Sequence, residues 1–510
     1  MASAVDLIRR SQGQGPAPLP DADQEWLDAA ADMGKERLDR FDLYRRFYEG
    51  DHGVQLTDRA REFLHVNGVP FRENFCEPMV DMVGERLEVE GFDVQIGDAD
   101  EAAEANAEAA TDLARWLERR FWRANNLDEG SDAIHTVALS RGESFGILGW
   151  DKVRQVPTFA YNPPERVKVV YADDDPNRKL YAVKVWNTTE AGPSNPDGMA
   201  VTRMNVYWPD RIEAYYRLHR SENRGGWARW IDPPGEDGQW APWPRPWVDA
   251  ADEPLGIPVV HFRNRPLGEE CGRSELENVV PFQAELNKQV LDLILVLDNQ
   301  GWAQRWVSGV DPSQANFVNA PGEIWIGGSK DARFGQFDNG DLAPILDTIE
   351  KLLSRMARRQ GMPLHLLTQG DAPSGESIKA SESRLVKRCR NRAVVFGNAW
   401  EEAARLAIRL ARSAGVPVPG PEDLDELTLN CRWEDPASED LRGDAETAIM
   451  LQQVGVSKRT LLAQLGFDPD QEEQNRRAEA EEAVSAAQRF LDTGDDGGGG
   501  DDDEPAGGGA

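Results

Sequence analysis

The chain is poor in cysteine, poor in histidine and short of positive charge, and each shortage removes a class of function. Four cysteines in 510 residues (Cys76, Cys271, Cys389 and Cys431) lie far apart with no C-x-x-C spacing. A chain of this size does not rest on a disulfide scaffold, and a thiolate zinc site needs closely spaced ligands. The six histidines (His52, His65, His135, His219, His261 and His365) stand singly, and H-E-x-x-H is absent. No metal or cofactor is expected. The phosphate-cradling G-x-x-x-x-G-K-[ST] loop is missing as well. Long apolar runs are missing too. The longest, Val290–Leu297, is interrupted by Asp292, far from the roughly 20 apolar residues of a membrane span. Met1–Gln12 carries no apolar core of a secretory signal. The expectation is a soluble protein of a reducing compartment.

Lys and Arg number 57 against 90 Asp and Glu, a formal charge of −33. A whole-surface DNA coat needs the opposite sign, because its affinity comes from neutralising phosphates. A local basic stripe remains compatible with that balance. Hydrophobic residues make up 40%, enough for real cores. Single cores stop growing near roughly 250–300 residues, so two to four packed units are expected.

Periodicity divides the chain by character. Asp21–Glu49 reads as helix, with Trp26, Leu27, Leu38, Phe41, Tyr44 and Phe47 at three-to-four spacing. Asn74–Glu88 and Ala102–Arg123 read as two more. From Gly142 to Phe262 short alternating runs appear at Val167–Tyr171, Tyr181–Trp186, Asn205–Trp208, Ile212–Tyr216 and Val259–Phe262, punctuated by turn dipeptides. Eight of the 16 Trp fall between Trp150 and Trp247. They either substitute for a deep core in a small sheet or form an exposed interface.

Arg273–Gln300 then reads as a long helix, with Leu276, Val279, Leu286, Val290, Leu293 and Leu297 near a heptad seam. Strand and turn follow over Ala303–Asp338. Asp341–Gln360 is helical again, stopped by Gly361 and Pro363. A very long helix is predicted over Glu376–Ser413, and a short strand over Thr428–Trp433. Helices follow at Leu441–Val454 and Ser457–Leu465, and a last one opens at Asp468-Pro469 and ends near Leu491. Thr493–Ala510 is a Gly/Asp tail read as disordered.

Two local features bear on chemistry. Gly142-Glu143-Ser144-Phe145-Gly146 fits the G-x-S-x-G spacing of a nucleophile elbow. The flanks run helix then strand, the reverse of what an elbow needs. A hydrolase built on Ser144 would also require a partner histidine, with His135 and His261 as candidates. The second feature is electrostatic. Lys351–Arg392 holds ten basic residues and three acidic ones, +7 inside a chain of −33. It serves either pairing with acidic neighbours across subunits or a surface that meets phosphate.

The order of elements, with several strings, carries a resemblance. Tyr48-Glu49-Gly50-Asp51 closes the first helix. Asn74-Phe75-Cys76 leads into Val80-Asp81 and Glu85-Arg86-Leu87. Trp122 with Asn125-Asn126-Leu127-Asp128 precedes Gly142-Glu143-Ser144. Leu255-Gly256-Ile257-Pro258-Val259-Val260 runs on to Phe262 and Asn264. Gly272-Arg273-Ser274-Glu275-Leu276 opens the long helix. Gly361-Met362-Pro363 and Ser374-Gly375-Glu376-Ser377 bracket a loop between helices. Trp433 with Asp435-Pro436 comes next, then Gly455-Val456-Ser457 and Leu465-Gly466. In this order, over roughly residues 40–475, the chain resembles the portal proteins of tailed bacteriophages, siphophage type.

That resemblance implies an α+β portal fold assembled as a ring. It has a mixed helix/strand wing, two long stem helices, a small α/β clip and a helical crown. Residues 1–272 would be the wing, 273–300 and 341–360 the stem helices, and 301–340 the clip. Residues 361–375 would be a tunnel loop, 376–439 a long helix returning into the wing, 440–492 the crown and 493–510 the acidic tail. The implied function is a ring, typically of twelve, at one capsid vertex. Double-stranded DNA is packaged and ejected through it. It nucleates procapsid assembly with the major capsid and scaffolding proteins, docks the terminase large subunit, and later carries the head–tail connector or adaptor proteins. It would reside in the virion, and in the host cytoplasm during assembly. It is not an enzyme on this reading. His365, Gln369, Lys379, Arg384 and Lys387 are candidates for the DNA channel. Trp302, Trp306, Trp325, Lys330 and Arg333 are candidates for the clip surface that faces motor or adaptor. The competing classes are the Ser144 hydrolase and another structural virion protein, such as a capsid or tail subunit.

Overall fold

The computed structural model describes residues 19–53, 73–97, 103–191, 193–195, 197–218, 226–233, 240, 242–267, 271–301, 305–310, 330–337, 341–363, 375–437, 448–453, 455–464, 472 and 475–477. It is a mixed α/β structure of helices and antiparallel sheets. The chain divides into two compact units, 1–436 and 437–510.

The first unit opens with α1 (Asp21–Ala31) and α2 (Lys35–Tyr48). The single helix expected over Asp21–Glu49 is broken at Asp32–Gly34. Gly34 sits at φ +74°, and its amide donates to Asp32 Oδ1 at 2.9 Å, a local turn that competes with helix. Lys168 Nζ caps α1 by donating to the carbonyls of Ala29 and Asp32. Next come α3 (Cys76–Gly84), β1 (Val89–Ile96) and α4 (Ala103–Trp116). Where one helix to Arg123 was expected, α4 widens into a π-helical turn at Leu117–Trp122 and closes with a 3-10 turn at Arg123–Asn125. Helix α5 (Leu127–Arg141) ends at Gly142, φ +101°.

The strands then run β2 (Glu143–Asp151), β3 (Val156–Asn162), β4 (Val167–Ala172), β5 (Asp175–Thr188), β6 (Val201–Tyr207), β7 (Arg211–Leu218), β8 (Ala228–Arg229), β9 (Arg245–Pro246) and β10 (Val259–Arg263). After them come α6 (Val280–Gly301), β11 (Arg305–Ser308), β12 (Arg333–Gln336), α7 (Ala343–Gln360), α8 (Gly375–Ser413) and β13 (Leu427–Trp433). In the second unit α9 covers Lys458–Gln464. The predicted Glu323–Ile326 strand and the tail lie outside the described residues, and of the helix predicted from Asp468 only 472 and 475–477 are described, all helical.

Three sheets build the first unit's core. Strands β10-β2-β3 form one, β1 pairs β13, and β4-β5-β6-β7-β8 form the largest, with β9 beside β7. Helix α8 is the spine. Phe396, Ala399, Trp400, Ala403, Ala404 and Ala407 are buried along it at helical spacing, and the small alanines let the three-stranded sheet approach closely. The Trp400 ring meets Phe262, Trp122 and Phe159 at 4.8, 4.9 and 5.2 Å. Trp400 Nε1 donates to His135 Nε2 at 2.9 Å. Burial pulls the His135 pKa down to about 3, against a weaker upward pull from a backbone hydrogen bond to Leu87. The neutral ring is therefore the acceptor that Trp400 needs.

The largest sheet buries one face under α1, where Leu27, Ala30 and Met33 pack on Val183, Met204, Val206, Tyr215 and Trp227. Part of its other face (Val167, Val169, Tyr171, Ala182 and Tyr207) meets Phe145 and Val259 of the smaller sheet and Ile257 just before it. Trp227 and Trp230 are buried. Arg203 lies between two indoles, 4.0 Å from the Trp230 centroid and 5.0 Å from that of Trp186. These tryptophans serve the core of a small sheet.

Candidate functional site: the root of the long helices

The long helix begins at Val280, not at Arg273 as its apolar spacing suggested. Pro281 supplies the first cause, since the residue before a proline avoids helical backbone and proline suits a first turn. The second cause is a web of polar contacts that holds residues 272–279 in turns. Gly142 and Gly272 pack backbone to backbone. A Cβ on Gly272 would stand 1.9 Å from the Gly142 carbonyl oxygen. Asn264 N donates to Gly142 O at 2.8 Å, and Asn264 Nδ2 donates to Arg273 O at 2.7 Å. The Ser274 hydroxyl donates to Ser140 O and accepts from the Leu276 amide. Glu275 N donates to Leu139 O at 2.8 Å.

Glu275 is the centre of this web. Its side chain is 1% exposed and meets Arg388 and Arg392 of α8, each 12% exposed. Arg392 reaches Glu275 Oε1 through Nη2 at 2.7 Å and through Nε at 2.8 Å, and Arg388 takes Oε2. Burial raises the Glu275 pKa, but the two guanidinium charges overcome it and hold the carboxyl below the usual range. Burial wins at Arg392, whose pKa is lowered despite Glu275. Arg388 also holds α7, bonding the carbonyl and side-chain oxygens of Gln360. Gln360 Nε2 in turn donates to Glu275 O at 2.7 Å. One buried carboxylate thus fastens the start of α6, the end of α7 and the middle of α8 (with Asn264 Nδ2 at 3.1 Å).

The first turns of α6 are fixed by buried amides. Gln283 Oε1 accepts from Phe75 N at 2.8 Å, and its Nε2 donates to Glu73 O at 2.6 Å. Asn287 Oδ1 accepts from Glu73 N at 3.0 Å, and its Nδ2 donates to His52 Nε2 at 2.7 Å. Farther out the pairing changes character. Leu293–Val296 are only half-buried, and Leu297 and Leu346 are 47% and 48% exposed. Strands β11 and β12 pair antiparallel, Arg305 opposite Gln336 and Ser308 opposite Arg333.

The candidate residues fall as follows. Trp306, Lys330 and Arg333 share the β11–β12 hairpin. The Trp306 ring covers Gly335 and is 39% exposed, and Lys330 and Arg333 are exposed. Trp302 and Trp325 lie outside the described residues, as do His365 and Gln369. Lys379 lies in α8. The Arg384 side chain lies over Gly361 and donates to Arg358 O at 3.2 Å, and Lys387 is exposed. Within the basic stretch several cations pair inside their own chain: Arg388 and Arg392 with Glu275, Arg390 with Asp435, Lys351 with Asp347.

The Ser144 hydrolase reading is overturned. Ser144 is fully buried, and its hydroxyl donates to Ile134 O at 2.8 Å. In the β2–β10 register Ser144 stands opposite Phe262, while His261 stands opposite Phe145, so serine and histidine project from opposite faces. His261 is engaged elsewhere. Its Nε2 donates to Glu143 Oε2 at 2.7 Å, and its Nδ1 accepts from the Tyr171 hydroxyl at 2.9 Å. Arg37 Nε reaches Glu143 Oε1 at 3.0 Å. Burial raises the Glu143 pKa, but His261 and Arg37 overcome that and lower it. Burial brings His261 down to about 4, against the pull of Glu143. This network ties α2 to two sheets and offers no exposed nucleophile.

Sequence reasoning found the strings at this root separately and missed that they meet. Gly142-Glu143-Ser144, Asn264 and Gly272–Leu276 are one contact set. The signal available was slight: Glu275 stands between Ser274 and Leu276 in a polar stretch, Arg273–Asn278, that precedes the apolar run of the helix.

Comparison with known proteins gives a consistent picture. The model of the family described as phage portal protein, SPP1 Gp6-like, matches residues 28–486. The portal protein of Mycobacterium phage L5 is 28% identical over 506 residues, covering 92% of each chain. The portal protein of Mycobacterium phage D29 is 28% identical over 432 residues, covering 79% of this chain and 78% of its own.

Proposed function

The chain belongs to the phage portal protein family, whose members are structural virion components at the capsid vertex, and from that premise we propose how it works. The observation that carries the reading is the family match across most of the chain. The pair α6–α7, fastened at one end and joined through a hairpin at the other, supports it. Twelve copies would form a closed ring. Helices α6 and α7 are its stem, the β11–β12 hairpin its clip, and residues before α6 its wing. The loop after Gly361 faces the channel, α8 returns outward, and 440–492 form the crown.

Double-stranded DNA passes through the bore in packaging and ejection. Copies of −33 each make an overall negative wall, which repels phosphate and lets DNA slide without sticking. A few cations near the narrowest point guide it, and salt keeps those contacts weak. Lys379, Arg384 and Lys387 on α8, with His365 and Gln369 in the loop, are those positions. Trp306, Lys330 and Arg333 on the hairpin, with Trp302 and Trp325, face the terminase and later the adaptor. The capsid and scaffolding proteins are the remaining partners.

Negative-stain electron microscopy with mass photometry on the purified chain tests this. Rings with a central channel near twelve times 56.8 kDa are expected. A uniform monomer at all salt and protein concentrations would refute it.

A further inference from the structure

Two stripes of opposite charge stand at the same end of α6, and neither makes an ion pair among the described residues. Helix α7 presents Arg355 and Arg358, exposed and without an ion pair among the described residues. Helix α3 with its C-cap residue presents Glu77, Asp81 and Glu85 at four-residue spacing, one above the other on one face. Glu77 and Glu85 are exposed and meet no cation among the described residues. Asp81 accepts from the Tyr48 hydroxyl at 2.9 Å. Burial raises its pKa, as does the neighbouring charge of Glu77, against the lowering effect of Tyr48. Like charges at this spacing repel, so the stripe is under tension in a lone chain.

Both stripes are rooted at one level. Helix α3 is tied to α6 through Phe75 N on Gln283 and Glu73 N on Asn287. Helix α7 is tied there by Arg359 donating to Asn278 at 2.9 Å and Gln360 donating to Glu275 O. Chains of −33 repel one another at long range, so a stable contact between copies needs local complementarity to offset that. A head-to-tail interface closes a ring when one patch meets a different patch on the next copy.

We propose that Arg355 and Arg358 of α7 dock on the Glu77–Asp81–Glu85 stripe of α3 in the adjacent copy of this chain. The inference rests on the ring reading and assigns its contact. It also takes these two arginines away from DNA.

Charge reversal tests it by mass photometry at fixed protein concentration and moderate salt, without DNA. Circular dichroism checks the fold of each variant, since all four altered side chains are exposed. R355E/R358E alone and E77K/E85K alone lower the ring fraction about tenfold or more. The fourfold variant, with both patches reversed, restores rings. So does mixing the two double variants in equal amounts, because each then offers the patch the other needs. If the wild type never forms rings, the ring reading fails and this inference falls with it. If the wild type forms rings and the double variants match it, the ring reading stands and this inference is overturned. Loss without restoration in both the fourfold variant and the mixture overturns it as well. Intact rings in R355E/R358E with weakened DNA retention would assign the arginines to phosphate.

Discussion

Replacing Glu275 by Gln tests whether the root of the long helices is held by charge. The substitution keeps the shape and leaves Arg388 and Arg392 in place, each only 12% exposed. Two buried guanidinium groups then face each other with no carboxylate between them. Removing one partner of a buried ionic set costs about 3–5 kcal/mol, because the remaining charges stay uncompensated. Urea unfolding followed by circular dichroism should lose that amount in its main transition. Hydrogen exchange should localise the damage, with faster exchange at amides 276–283 and at the end of α7. A second variant separates charge from packing. Glu275→Leu with Arg388→Met and Arg392→Met removes all three charges and fills similar volume. Such replacements are often neutral or better, although Gln360 and Asn264 lose partners here. At least half of the lost stability should return. A cost below about 1 kcal/mol for Glu275→Gln would refute the argument. So would a triple variant worse than the single one.

Two further expectations follow from buried groups. Ser144→Ala should cost about 1 kcal/mol, one buried hydrogen bond to Ile134 O. It should leave ring assembly unchanged by mass photometry, and a specific loss of assembly would show that Ser144 does more than brace a turn. Acid should weaken the fold through His261, whose folded pKa of about 4 lies below its ordinary 6.5. Stability is therefore full above pH 6.5 and falls as pH drops toward 4, by about 3 kcal/mol for this group. The lowered Glu143 acts in the same direction at the acid end of that window. Urea midpoints from pH 7 to 4 should fall less steeply in His261→Gln, and an equal slope would remove His261 as the cause.

Elements whose cause is local were legible, and those whose cause is distant were not. The 39-residue α8 follows from helical spacing bounded by Gly375 and Gly415. The end of α7 follows from Gly361 at φ +69° before Pro363. Strand β1 was missed although Phe92, Val94 and Ile96 alternate, because its partner β13 lies more than 300 residues on. Strand β12 is four residues, Arg333-Phe334-Gly335-Gln336, with polar ends and an internal glycine, and only pairing with β11 makes it a strand. The break between α1 and α2 needed the positive φ of Gly34, which the apolar period overrides on paper. The site divides in the same way. The basic excess over 351–392 was visible, but its division into buried clamps and exposed cations was not. Arg388 and Arg392 differ from Arg355 and Arg358 only in what stands opposite them after folding.

The root and the far end of the α6–α7 pair are built on opposite principles, and that contrast predicts where assembly adds the most apolar burial, apart from the exposed charges of α3 and α7. At the root Glu275, Arg388, Arg392 and Gln360 are all paired within the chain, with Asn264 Oδ1 the one buried oxygen of this web left without a hydrogen bond, and the packing is closed by Leu276, Val279, Leu286 and Met356. At the far end several large apolar side chains stand exposed among the described residues. Leu297, Leu346, Trp306, Phe334 and Phe337 are all exposed, and they surround a two-stranded sheet, which is marginal by itself. Burial stabilises by roughly 25 cal/mol per Å² of apolar surface, so the far end stands to gain most when copies meet. Hydrogen exchange on monomer and ring should show it. Amides 293–297 and 305–308 should gain protection of about tenfold or more on assembly, because their opening is local in the lone chain. Amides 139–146 and 274–283 should change little, since their partners are already present. Equal gains at both ends would mean that the root also depends on neighbours, and the division between a self-sufficient root and an incomplete tip would be wrong.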